Sequence, residues 1–357
     1  MDSILLALVF APLVLIFGLA NKAEQARSLG QSGRPWTLST YRLLALGWLG
    51  LFGIGLLLQV VLGRLLNDPQ GRALFLENLQ QSGVTAAAAL VERLPALGLS
   101  LWLPAVGGLL LLWLPVRRLL ARIVSIDPAN AVHTVALSCV MLVLINLGFT
   151  LVIGLDTMAD ILSLAPAESS RTVFTTLWVQ TLCFIALAFV GVGWPLRRSL
   201  AATLARLGLV RLSIRQAAIG IGLALVLVAM LIPLDYLTGI LKLGIDEEVR
   251  RLNELLIGPL MQSIPGILTL GLAAALGEEI LLRGALQPRF GVFWTAVIFA
   301  LLHSNYGLSL STAVVFVLGL VLGWVRRRHN TGTAIILHAV YNMTLGMLSF
   351  LRLWPDW

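Results

Sequence analysis

Long apolar runs, seldom interrupted by a polar side chain, recur from one end of the chain to the other. A helix needs about 20 consecutive apolar residues to cross the hydrocarbon of a bilayer. Ten segments meet or approach that length: Ile4–Leu19, Leu43–Leu62, Leu94–Leu114, Val132–Leu155, Phe174–Trp194, Ala217–Leu237, Pro265–Leu286, Val292–Leu308, Ser311–Val325 and Ala334–Leu351. The eighth and ninth are short and are expected to tilt or to merge with their flanks. The fold class is therefore all-α, a polytopic transmembrane helix bundle of about ten spans. Two stretches between spans, 64–93 and 238–264, mix leucines with charges at helical spacing, as at Val249, Leu252, Leu255 and Leu256. Amphipathic helices at an interface or capping the bundle fit that pattern, and so do ordered surface loops.

Composition agrees with the pattern. Of 357 residues 59% are hydrophobic and 12% charged, with a mean hydropathy of +0.94. A soluble domain carries about twice that charged fraction. The net charge of +8 is explained by sidedness rather than by a nucleic-acid partner. Sixteen of the 25 Lys and Arg fall in one alternate set of loops and eight in the other, with Arg283 left inside a span. Acids such as Asp68, Glu77, Asp156, Glu168, Asp246 and Glu247 lie in the second set. Excess positive charge marks the cytoplasmic side, so both termini are expected outside, in a multi-pass protein of a bacterial inner membrane. Cys139 and Cys183 fall in apolar segments and form neither a zinc pattern nor a disulfide framework. The N-terminal run lacks a basic flank and reads as a retained helix. The basic segment Arg197–Arg215 divides the chain. Residues 1–215 hold about five helices with few polar side chains, and 216–357 hold the candidate chemistry.

That chemistry begins at Gly277-Glu278-Glu279-Ile280-Leu281-Leu282-Arg283-Gly284. A charge at the bilayer centre costs about 2.5–3.5 kcal/mol on insertion scales, so three charges within one span demand a reason. In a helix Glu279 and Arg283 share a face, acid before base, and Gln287 continues it. Glu278 is rotated about 100° away with no basic partner in its own helix. Glu279 thus reads as structural and Glu278 as available. The next span carries Phe299-Ala-Leu-Leu-His303 and the last His338-Ala-Val-Tyr-Asn342. All these groups are expected between the cytoplasmic face and the midplane, where they can meet in one hydrated cavity. A carboxylate among apolar groups can take a proton from water, an imidazole can fix that water, and a second imidazole and an amide can donate to an oxyanion. Hydrolysis of a carbonyl compound is the reaction such a set suits. His133 and His329 carry no comparable signal, and Asn146, Gln180 and Asp235 read as packing or loop-end residues.

The motifs Glu278-Glu279-x-x-x-Arg283, Phe299-x-x-x-His303 and His338-x-x-x-Asn342, in this order on successive spans, resemble those of the CPBP intramembrane proteases. That family, also called ABI, includes CAAX-processing endopeptidases of the Rce1 type and bacteriocin-processing or immunity proteins. The resemblance covers about residues 265–351. It implies Glu278 as general base, His303 as holder of the water, and His338 and Asn342 as oxyanion stabilisers. Glu279, Arg283 and Phe299 would support them. The implied activity is endopeptidase cleavage of a membrane-associated protein or peptide, approaching from the lipid or the cytoplasmic side. No cofactor is required by that chemistry; the alternative is a zinc ion on Glu278, His303 and His338. Two other classes fit the buried polar groups: a non-catalytic immunity or scaffold protein of the same fold, and a proton-coupled transporter.

Overall fold

A computed structural model describes residues 3–84, 87–164, 170–240 and 247–353. Of the charges used above, Glu168 and Asp246 lie outside the described residues, as does the side chain of Asp235. Among the described residues every regular element is a helix. Its N-terminal part comprises α1 (Ser3–Ser28), α2 (Arg34–Asn67), α3 (Pro69–Gln81), α4 (Ala87–Arg93), α5 (Ala96–Leu110) and α6 (Leu114–Leu120). There follow α7 (Ala131–Ile153), α8 (Leu155–Leu164), α9 (Ser170–Val192) and α10 (Leu200–Leu207). The remainder is α11 (Ile214–Ile240), α12 (Glu247–Met261), α13 (Ile264–Glu278), a π-helical segment Glu279–Leu286, α14 (Gln287–Leu302), α15 (Leu310–Arg328) and α16 (Thr331–Phe350).

Nine helical stretches among the described residues are long and apolar enough to cross a membrane. The seventh and eighth expected spans form one of them, the 39-residue stretch Ile264–Leu302. That stretch is not straight. Sixteen residues of continuous helix would separate Arg283 from Phe299 by about 24 Å along the axis, yet the Arg283 guanidinium carbon lies 4.3 Å from the centroid of the Phe299 ring. The chain folds back at Gly291, whose φ of 76° is open to glycine and strained for other residues. Two legs therefore stand where two spans were expected. Side chains such as Leu8, Leu57, Val226 and Met230 remain exposed on the outside, as a helix bundle solvated by lipid requires. The protein is an integral, multi-pass membrane protein.

Hydrogen-bonding caps start the helices that carry the motifs. Ser263 accepts from the Gly266 amide ahead of α13, Ser309 from Thr312 ahead of α15, and Asn330 from Thr333 ahead of α16. Each satisfies an amide that has no partner within the helix. Gly319 and Gly323 of α15 let α14 come close: a Cβ on Gly319 would meet Phe299 and Ala296 at 3.1 and 3.2 Å. Small residues four apart are a common device for close helix approach in membranes.

The stretches 64–93 and 238–264 do contain short helices, α3, α4 and α12. The part of the latter at 241–246 lies outside the described residues. α12 turns Val249, Leu252, Asn253 and Leu260 inward, and Arg251 bonds the buried Asp160 of α8 at 2.8 Å. It closes over one end of the bundle rather than lying apart from it. The helices before residue 215 also reach the motif-bearing part, since α9 packs along α13 and the π segment, and α7 touches α14.

Candidate functional site

The two adjacent glutamates have the different surroundings that helical geometry predicts. Glu279 is fully buried: Oε2 lies 3.3 Å from Arg283 Nε and Oε1 is 3.0 Å from His338 Nδ1. Arg283, also fully buried, donates to the Gly319 carbonyl at 3.4 Å and lies against the Phe299 ring. Gln287 donates to the Gly323 carbonyl at 2.8 Å, so Arg283 and Gln287 grip α15 one turn apart. The face is the expected one, although the segment is π-helical rather than α-helical. Such wide turns occur often at functional sites, and nothing in the residue pattern announces this one.

Glu278 instead lines a cavity of about 780 Å³ with Phe299, His303, His338, Tyr341 and Asn342. The three motifs thus converge on one space. Glu278 Oε2 has no hydrogen-bond partner from the protein; the imidazole Nε2 of His303 faces it across 4.0 Å. His303 Nδ1 is 2.8 Å from the Phe299 carbonyl. A carbonyl only accepts, so Nδ1 carries the proton there and, in the neutral ring, Nε2 offers a lone pair toward Glu278. Phe299 has a second function as a wedge. Its ring contacts both imidazoles edge-on, with centroids 4.7 Å from His303 and 5.8 Å from His338.

His303 sits where α14 ends, and the chain then makes a single 3-10 turn at Ser304–Tyr306 before α15 begins. Irregular backbone at membrane depth is tolerated where it is buried in protein or lines a cavity, and His303, Asn305 and Tyr306 line this one. Three contacts that the residue pattern does not foreshadow pin this loop. Asn146 of α7, read as a packing residue, donates to Ser304 Oγ at 2.7 Å. Asn305 donates to Asn253 of α12 at 3.1 Å, and the Tyr306 ring stacks on His303 at 5.9 Å with a 9° tilt. Gln180 of α9, likewise read as packing, lines the cavity. The only available signal was a polar side chain within an apolar run.

The cavity extends in a direction the sequence reading did not expect. Its walls come from the early part of α9 (Val173, Thr176) and of α15 (Leu310, Val314), from the middle of α13 (Leu270, Ala274), from the late part of α16 (Leu345, Ser349), and from α12. These parts lie away from Arg197, Arg289 and Arg326, which mark the other end of the bundle. The space therefore opens into the half of the bundle away from the arginines, not toward the basic face. Distance along the chain from a basic turn sets depth but not the direction in which side chains leave their helices.

The alternative zinc set, Glu278, His303 and His338, is not gathered as a ligand group. Among the described residues no three His, Cys, Asp or Glu side chains are arranged to hold a metal ion, and His338 directs Nδ1 to Glu279.

Residues 260–344 match the family model described as "Type II CAAX prenyl endopeptidase Rce1-like". "Uncharacterized protein YpbD" of Bacillus subtilis (strain 168) is 44% identical over 69 residues, which are 18% of this chain and 36% of that protein. The chain thus spans about a third of the length of the curated relative it matches. No solved structure matches. The segment that brings Glu278, His303, His338 and Asn342 to one cavity is thus the part of the chain that is similar to the Rce1-like, type II CAAX prenyl endopeptidases.

Proposed function

We propose that the protein is an intramembrane endopeptidase in which Glu278 activates water. One observation carries this reading: Glu278 Oε2 and His303 Nε2 face each other at 4.0 Å, and both are acceptors. Two acceptors at that separation are bridged by a molecule with two O–H donors, which is water itself. Held there, the water gives a proton to the Glu278 carboxylate as its oxygen attacks the scissile carbonyl. The oxyanion that forms is met from α16 by His338 and Asn342, one helical turn apart on the same cavity wall. The Glu279 carboxylate holds His338 at Nδ1, and donation through Nε2 as well requires both ring protons. Glu278 then returns its proton to the leaving amine, and no covalent enzyme intermediate forms.

The substrate is a membrane-associated protein or peptide. Apolar walls, including Leu231, Leu234, Leu270, Val314 and Leu318, suit a segment arriving from lipid. The family's name points to prenylated tails, and apolar walls next to the polar cluster accommodate such a chain. Water activated by Glu278 is sufficient for the reaction without a metal. The test compares new C-termini in membranes from cells making the wild type or the Glu278→Gln protein at equal levels. Wild-type membranes are expected to contain termini that the variant lacks; identical sets would overturn the mechanism.

A further inference from the structure

At the opposite end of the bundle a second, smaller cavity of about 100 Å³ is lined by Arg197, Arg198, Arg206 and Arg289, with Asn130 and His133 at its edge. Four guanidinium groups around so small a space repel one another, and no carboxylate lines it. The nearest acid acting on Arg197 is Glu24, whose Oε1 already accepts from Arg27 and from the Ala131 amide at 3.0 and 2.9 Å. Asp127 faces His133 instead. Arg206 has only like charges near it. Burial, and then Arg198, Arg289 and Arg326, lower its pKa to about 10. The Nε atoms of Arg197 and Arg326 are buried without a hydrogen-bond partner. Sidedness alone would spread arginines over a surface; it does not draw them into one half-buried pocket.

We propose that this pocket binds a phosphate anion, supplied by the headgroup of an anionic membrane lipid or by a soluble phosphate. Arginine forks match the oxygen geometry of phosphate, and basic pockets between membrane helices bind lipid headgroups. The volume holds a phosphate group and not a whole lipid, so acyl chains would run along the exposed apolar sides of the helices. The pocket is also tied to the catalytic segment. Arg206 donates to the carbonyls of Gly284 and Ala285 at 3.0 and 3.4 Å, both within the π turn that holds Glu279 and Arg283. An anion that neutralises the cluster would hold Arg206 in place and brace that turn.

The experiment uses the full chain purified into phosphatidylcholine nanodiscs, with thermal unfolding as the readout. Phosphatidylglycerol is added in one arm and inorganic phosphate in the other. The Arg198→Gln/Arg289→Gln variant leaves the Arg206 contacts intact. The Arg72→Gln/Arg171→Gln variant, altered at the other end, removes the same charge. Phosphatidylglycerol is expected to stabilise the wild type and the control, with roughly twenty-five-fold weaker apparent affinity for the pocket variant, about fivefold per arginine removed. An arginine-dependent response to phosphatidylglycerol alone identifies a lipid headgroup; the same response to inorganic phosphate identifies a soluble anion. Equal responses of wild type and pocket variant, or an equal loss in the control, would overturn the proposal. If the double variant does not fold in phosphatidylcholine, Arg289→Gln alone, at an exposed position, serves in its place.

Discussion

Exchanging one glutamate at a time for glutamine separates the two functions assigned to residues 278 and 279. In Glu279→Gln the fully buried Arg283 loses its counter-ion, and removing one partner of a buried ion pair costs about 3–5 kcal/mol. The unfolding temperature should fall on the order of 10 °C. In Glu278→Gln no cation loses its partner. The side chain is 18% exposed on the cavity wall, and such a swap should change stability by no more than about 0.5 kcal/mol. Its cost falls on the reaction instead. Loss of a general base lowers the rate by about 10²–10⁴-fold, equivalent to roughly 3–5 kcal/mol of barrier. Similar free energies are thus expected in two different observables. Thermal unfolding in detergent and cleavage of a co-expressed membrane substrate, both at matched protein level, measure them. If Glu278→Gln unfolded as early as Glu279→Gln, or cleaved at the wild-type rate, the assignment would be wrong.

Four further outcomes are expected. Arg283→Lys cannot face Glu279, the Gly319 carbonyl and the Phe299 ring together, and should lose about 1–3 kcal/mol, read by thermal unfolding. Gly319→Ala places a Cβ 3.1 Å from Phe299; overpacking of about 1–3 kcal/mol should appear together with reduced cleavage, because the Phe299 carbonyl positions His303. Asn146→Ala removes the bond to Ser304 and should cost about 0.5–1.5 kcal/mol, with kcat falling several-fold and KM little changed in a peptide-cleavage assay. The chelator 1,10-phenanthroline should leave cleavage unaltered; inhibition reversed by added zinc would show that a metal takes part.

Much of the site could be read from the sequence because charged groups in an apolar run admit few explanations. The four-residue spacing of Glu279 and Arg283 singled out Glu278, and the same spacing joined His338 to Asn342. Other features had no such signature. The π turn at Glu279–Leu286 depends on Arg206 and α15 supplying partners for its backbone and side chains, and those lie far away in sequence. A reversal between the seventh and eighth spans was expected, but its closing on the positive φ of Gly291 leaves no mark in the hydrophobic pattern. Asn146, Gln180 and Asn253 come from helices remote from the motifs, and a lone amide in a membrane helix usually serves packing. The direction of the cavity depends on how α9, α12, α13 and α16 are rotated, which periodicity does not specify when helices are apolar on every side.

The short second leg has a consequence for how the protein is made. Val292–Leu302 covers about 16 Å at 1.5 Å per residue, roughly half the thickness of the hydrocarbon layer. Such a segment cannot be handed to the bilayer as an independent unit during synthesis. It must wait for, or enter together with, the helices on either side. His303 therefore reaches its place beside Glu278 only when its neighbours have already assembled around it, which delays completion of the cavity until the surrounding walls exist.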